Sequence, residues 1–222
     1  MKKQFKIVLA IMALSMAALA CGAPSIPGVP NLGGGPLLQD GFGGLNQTWG
    51  TGTDADSSVE YAGGGLQFKV FKTQYYVWSG PNDTEYGNIH IDVTAKNNSS
   101  DPNSAFGIIC NQQVTSSAYY YFAVTPNGQY AIVKAAVAKD DVFLTNNDQW
   151  ADSDLIAKNA ATYQLGADCG KGVLTFYVDG KQIATVQDPT YVNGKVGLFA
   201  WSHKVQNGAD VTFDDFVVTS LK

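Results

Sequence analysis

Arginine is absent from this chain of 222 residues, and cysteine, histidine and methionine are scarce. With no guanidinium fork, and with nineteen acidic residues against fourteen lysines, the chain has little means of gripping a polyanion. Nucleic acid and sulfated glycans are therefore poor partners. Lys2, Lys3 and Lys6 stand at the very start, so the remainder is more acidic still, with a net charge of about −8. The two histidines, His90 and His203, cannot build a zinc site with so few cysteines. No Gly-x-Ser-x-Gly elbow occurs, so a nucleophilic serine has no support. No apolar run is long enough to cross a membrane. Residues 7 to 19, apolar apart from Ser15, reach about 20 Å as a helix, against a hydrocarbon core of about 30 Å. Helical periodicity is missing almost everywhere, and only "ADSDLIAKNAA" (151–161) reads as a helix, a brief one.

What is present begins with an export signal. The charged "MKKQFK" and the short apolar run after it are the n- and h-regions of a signal peptide over residues 1–20. "ALAC" (18–21), followed by Gly22, resembles the bacterial lipobox, in which the cysteine is acylated and becomes the new N-terminus. That resemblance makes Cys21 a lipidation site, with membrane attachment through the acyl chains. The alternative is ordinary cleavage nearby and a free thiol. Residues 21–37, rich in proline and glycine and without charge, cannot bury a core and form a tether. A lipidated Cys21 leaves Cys110 and Cys169, an even number in an oxidising compartment, which reads as one disulfide. Two buried thiols are the alternative. The protein is thus expected to be exported and lipid-anchored to the bacterial cell membrane or cell surface.

Residues 38–222 suffice for one domain with a full core. Their periodic segments alternate with period two. "NIHIDVTAK" (88–96) sets Ile89, Ile91 and Val93 against His90, Asp92 and Thr94. "YYYFAV" (119–124) sets Tyr120, Phe122 and Val124 against Tyr119, Tyr121 and Ala123, and "VLTFYV" (173–178) repeats the pattern. These are strands with one buried face. "TPNGQ" (125–129), "VDGK" (178–181) and "VNGK" (192–195) are turns, the Asp-Gly pair being a strong hairpin signal. The Gly-rich "AGGGL" (62–66) enters a strand rather than a helix, so it is a tight turn and not a phosphate cradle. Many short strands without helices mean a β-sandwich.

"LTFYVDGKQIATVQD", "YVNGKVGLFAW" and the terminal "VTFDDFVV" together resemble the concanavalin A-like lectin/glucanase jelly roll, and more narrowly the laminin-G-like domains of bacterial surface lipoproteins. "LLQDGFGGLNQTWG" (37–50) looks like the first strand, and "FGIIC" and "GADC" match the paired cysteine strands. The resemblance covers residues 38 to 221. It implies an all-β, two-sheet antiparallel jelly-roll sandwich. It leaves activity to the site, because this fold carries several functions. The glucanase branch needs paired carboxylates along one strand face. The nearest stretch offers Asp92 alone between His90 and Thr94, so that motif is absent. A sugar-active hydrolase or lyase resembling the 3-keto-disaccharide hydrolase family stays open as an alternative.

The aromatic residues carry the main functional expectation. Sugar rings stack on Trp and Tyr while amides and carboxylates fix their hydroxyls. If the inward faces hold Ile89, Cys110, Tyr120 and Leu198, then His90, Asp92, Asn111, Tyr119, Tyr121, Phe199 and Trp201 face outward, and Trp150 can close an edge. His90, Asp92, Asn111, Tyr119, Tyr121, Trp150 and Trp201 are therefore the candidate carbohydrate-binding residues for a neutral polysaccharide or glycan. Cross-strand stabilisation of the sheet explains outward tyrosines equally well. A protein-contact or adhesion module, using the same face on a surface protein, is the competing function. Trp49 and Trp78 are expected in the core. Asp40 with Asp214 or Asp215, where the first and last strands meet, is the candidate site for one structural calcium. The acidic loops "TDADSS" (53–58) and "NNDQWADSD" (146–154) are further oxygen-rich candidates. Solvated loops of an acidic protein are the plainer reading of all three.

Overall fold

A computed structural model describes residues 35–44 and 47–221. The expected signal peptide and the lipidation of Cys21 lie outside the described residues, as does all of the tether but residues 35–37. Among the described residues there is no helix, and seventeen strands follow one another. They are β1 (Leu38–Asp40), β2 (Gly52–Thr53), β3 (Ser57–Ala62), β4 (Gly65–Val70), β5 (Tyr76–Ser79), β6 (Tyr86–Gly87), β7 (Ile89–Asn97), β8 (Ala105–Gln112), β9 (Ala118–Val124), β10 (Gln129–Ala136), β11 (Val142–Phe143), β12 (Ala151–Asp152), β13 (Thr162–Gly170), β14 (Val173–Val178), β15 (Lys181–Gln187), β16 (Asn193–Trp201) and β17 (Ala209–Ser220).

They form two antiparallel sheets. The back sheet runs β15-β14-β13-β7-β17-β4-β3-β2, with β1 on β17; the front sheet runs β11-β10-β9-β8-β16-β5, with β12 on β10 and β6 on β16. The alternation noted in the sequence sets the core. Ile89, Ile91 and Val93 of β7, Leu174, Phe176 and Val178 of β14, and Tyr120, Phe122 and Val124 of β9 are all buried between the sheets. Phe122 of the front sheet meets Phe176 of the back sheet with ring centroids 5.7 Å apart. Cys110 of β8 is bridged to Cys169 of β13, so the disulfide ties one sheet to the other across a Cα separation of 6.6 Å. The β14–β15 hairpin turns on Asp179 and Gly180, both at positive φ (51° and 71°), the backbone that a two-residue Asp-Gly turn requires.

Four local expectations are corrected. Residues 151–161 are not helical. They begin as β12, which pairs with β10, and the remainder is held by a side chain. The Tyr163 hydroxyl donates to the Ala157 carbonyl (2.9 Å) and accepts from the Ala160 amide (3.1 Å), supplying partners in a stretch too short to nucleate a helix. Asn193 and Gly194 are not a hairpin turn. They open β16 by pairing with β6. Of residues 37–50, only Leu38–Asp40 form a strand, while Phe42 and Trp49 reach the core from the loop that follows. Trp49 is buried as expected, but Trp78, on the edge strand β5, is 49% exposed.

Candidate functional site

The outer face of the front sheet carries a second apolar cluster, separate from the core between the sheets. Its floor follows from register. Phe199 of β16 lies opposite Gly107, which lies opposite Ala123, which lies opposite Ala131. Three successive strands thus place small residues beside one large ring. Gly107 is required there, because an added Cβ would stand 1.8 Å from the Phe122 carbonyl oxygen and 3.2 Å from the Phe199 ring. Over this floor Tyr76 stacks on Phe199 (centroids 5.1 Å, interplanar angle 20°), and Tyr121 meets Phe199 edge-on at 5.2 Å. Tyr119 stacks loosely on Tyr76 at 6.4 Å.

A cavity of about 340 Å³ opens on this face, lined by Tyr76, Ala105, Tyr119, Tyr121, Asp141, Phe143, Trp150, Phe199 and Trp201. Its polar groups are few. The Tyr121 hydroxyl donates to Asp141 Oδ2 at 2.8 Å. Burial raises the Asp141 carboxyl above the ordinary carboxylate range, and the Tyr121 hydrogen bond only partly opposes this. Burial, and after it the Asp141 charge, holds the Tyr121 phenol far above its usual value. The Tyr76 hydroxyl is buried without a hydrogen-bond partner. The site is therefore an aromatic box with one carboxyl, suited to a ligand that offers flat apolar faces and hydroxyl groups.

Of the residues singled out in the sequence, Tyr119, Tyr121, Trp150 and Trp201 come together in this cavity. Asn111 does not reach it. At φ 51° it breaks the alternation of β8, is 1% exposed, and donates through Nδ2 to the Tyr191 carbonyl at 2.9 Å. The opposing strand is irregular at the same point, between Lys195 and Gly197. His90 and Asp92 face outward as expected, but from the back sheet, because β7 lies between β13 and β17. Tyr76, Asp141 and Phe143 were not anticipated as site residues. Tyr76 sits in the run "TQYYVW", whose two adjacent tyrosines leave the inward one undetermined by sequence, and Asp141 lies in the loop after β10.

On the back sheet His90 is held from both sides. Nδ1 contacts Asp168 Oδ1 at 2.5 Å and Nε2 contacts Asp92 Oδ2 at 3.0 Å, while Tyr177 donates to Asp168 Oδ2 at 2.8 Å. Burial alone would lower the His90 pKa. The hydrogen bonds and charges of Asp168 and Asp92 outweigh it and raise the value from 6.5 to about 9. A group whose folded-state pKa is raised contributes stability that is fully present below its unfolded value and lost as pH rises through the folded one. The imidazolium is therefore expected to contribute roughly 3 kcal/mol at pH 6 that disappears by about pH 9 to 10. Thermal unfolding followed from pH 6 to pH 9 in wild type and in His90→Gln checks this: the wild-type midpoint falls across the window, and the variant's falls markedly less.

Of the calcium candidates, Asp40 and Asp214 have protein partners and Asp215 is exposed. Asp40 Oδ1 accepts from the Phe42 amide (2.8 Å) and Oδ2 from Trp49 Nε1 (3.0 Å). Asp214 pairs with Lys96 at 3.0 Å, and Asp215 is exposed at an irregularity of β17. In the acidic loops, Asp54 Oδ1 accepts from the amides of Asp56 and Ser57, both at 2.8 Å, and Asp148 Oδ1 accepts from that of Phe143 at 2.8 Å. These carboxylates cap turns. Among the described residues, no three His, Cys, Asp or Glu side chains converge to hold a metal ion.

No protein-family model and no curated protein matches the chain. Solved structures do. A carbohydrate binding module, CBM66 from Bacillus subtilis, superposes with a TM-score of 0.59 at 15% identity, covering 79% of this chain and 98% of that one. A Bacillus subtilis protein of unknown function with a galectin-like fold gives 0.62 at 10% identity, covering 84% and 96%. The Bacillus licheniformis β-glucanase gives 0.54 at 13% identity, covering 86% and 100%. Likeness at these identities is likeness of fold, and the fold is the jelly-roll sandwich of concanavalin A-like and galectin-like proteins.

Proposed function

We propose that this is an exported, lipid-anchored protein whose jelly-roll domain binds a neutral carbohydrate in the aromatic cavity of the front sheet without cleaving it. The single observation that carries the reading is the composition of that cavity: Tyr76, Tyr119, Trp150 and Trp201 around one carboxyl, Asp141. Stacking rings and a lone hydroxyl-fixing acceptor are what a sugar needs for binding. Glycoside hydrolysis needs two carboxyl groups flanking the bond, and this lining supplies one. An anionic sugar beside a buried carboxyl would meet like charge in a poorly solvated site, which favours a neutral ligand. The comparison with a carbohydrate binding module points the same way. Export is supported by the bridged cysteines, and the anchor by the lipobox-like "ALAC". Calorimetric titration with a broad panel of neutral oligosaccharides tests the reading. Wild type is expected to bind at least one series, and Trp201→Ala to weaken that binding about tenfold, the worth of one stacked ring, with its far-UV spectrum unchanged. Silence across the whole panel rejects carbohydrate as the ligand and leaves a protein partner for the same face.

A further inference from the structure

A second, larger cleft of about 740 Å³ lies beside the edge strand β5. Its walls include Thr53 and Asp54 from the back-sheet edge, Trp78 from β5, and Asn82, Gln112 and Lys195. Trp78 is 49% exposed, and no ring of the described residues stacks on it. A large aromatic surface left in water at the rim of a cleft of mixed polar and apolar lining calls for a ligand with a flat apolar face. Lys195 is paired with Asp83 at 2.5 Å, so its charge is already compensated and the cleft is not built for an anion.

The cleft is also next to the aromatic cavity. Trp78 is the cross-strand partner of Phe199, which belongs to that cavity, and Tyr76, two residues back on β5, lines it as well. Both hollows thus share β5, on which Tyr76 and Trp78 are two residues, about 7 Å of strand, apart. We propose that the cleft is a second subsite of the same binding path, occupied by the continuation of the glycan held in the aromatic cavity. The ligand is then an extended neutral polysaccharide segment, not a single sugar or an isolated chain end.

A peptide adding to the free edge of β5 is the competing occupant. The far end of that edge is already taken, since the Gly50 amide donates to the Gly80 carbonyl (3.3 Å) and the Ser79 hydroxyl donates to the Gly50 carbonyl (2.7 Å). Strand addition would have to displace both bonds, whereas a glycan lying over Trp78 displaces neither.

This inference rests on carbohydrate being the ligand, and its test separates the two. Wild type, Trp78→Ala and Trp201→Ala are titrated with laminari-, cello-, manno- and fructo-oligosaccharides, each as disaccharide and as hexasaccharide. The hexasaccharide of the recognised series is expected to bind wild type at least about tenfold tighter than the disaccharide. Trp78→Ala abolishes that gain and leaves disaccharide affinity unchanged, while Trp201→Ala weakens both. Asn82→Ala, in an exposed loop, reproduces the selective loss in weaker form and guards against a folding effect of the tryptophan change. Equal affinity for the two lengths in wild type, or an equal loss for both in Trp78→Ala, overturns the second subsite while the aromatic cavity stands. Absence of binding by every series overturns both.

Discussion

Replacing Cys110 and Cys169 together by alanine is expected to lower the stability of the domain by about 4 kcal/mol, with a fall in melting temperature of roughly 8 to 16 °C. The bridge closes a loop spanning 59 positions, and in the chain-entropy model a loop of that size restricts the unfolded chain by about this amount. Its placement adds to the effect. Cys110 is in β8 of the front sheet and Cys169 in β13 of the back sheet, and both are fully buried in the core they join. The other contacts across this core are mostly apolar packing; the disulfide is the covalent tie. Alanine is the appropriate replacement, since serine would leave two hydroxyls without partners among Phe, Ile and Leu side chains and add their desolvation to the measured loss. Scanning calorimetry of the double variant, and of reduced wild type as an independent route to the same state, checks the expectation. A fall of a degree or two would mean that packing alone sets how the sheets meet.

The second large effect is expected at Asp188, in the connection that carries the chain from β15 of the back sheet to β16 of the front sheet. Its carboxylate accepts from the Tyr120 hydroxyl (2.8 Å), Lys134 Nζ (2.6 Å) and the Thr190 amide (2.9 Å), and from the Thr190 hydroxyl. Burial would raise this carboxyl, but Lys134, Thr190 and Tyr120 overcome it and hold the group far below the usual carboxylate range. Asp188→Ala removes one acceptor from the fully buried Tyr120 hydroxyl, which keeps the Asp188 carbonyl (3.0 Å) and the Tyr191 amide (3.1 Å), and it leaves Lys134 without its carboxylate partner. Removing one partner of a buried pair costs about 3 to 5 kcal/mol, and the partial exposure of Lys134 places this case near 3. A depressed folded-state value contributes stability present above the unfolded pKa of 3.8 and lost as pH falls below it. The unfolding free energies of wild type and Asp188→Asn are therefore expected to differ at pH 7 and to converge as pH falls through the carboxylate range. Urea denaturation at several pH values reads this directly, and a difference that stayed constant down to pH 2 would refute the role assigned to the carboxylate.

The aromatic cavity was only partly visible in the sequence. Tyr119 and Tyr121 declare their common face by alternating with Tyr120 and Phe122, and Trp201 does so through Leu198 and Ala200. Alternation reports which side of its own sheet a residue faces. It does not report which sheet the strand joins, and for that reason His90 and Asp92, correctly placed as outward, belong to the opposite surface. Asn111 failed for another reason: one residue at positive φ ends the alternation, and such a residue can only be located once its cross-strand partner is known. Trp78 looked like core by hydrophobicity, yet an edge strand has no neighbour on one side to cover a large ring.

Local chemistry, then, decided most strands, the Asp-Gly hairpin and the all-β class, because each depends on period-two burial or on turn dihedrals, and parity suggested the pairing of the two cysteines that the structure shows. Strand order decided the rest. Only when β5, β16, β8, β9 and β10 lie side by side do Tyr76, Phe199, Tyr121 and the segments before and after β11 that bear Asp141 and Trp150 surround one cavity. Those contacts join segments far apart in the chain, and the hydrogen bonds that select them are the same between any two strands.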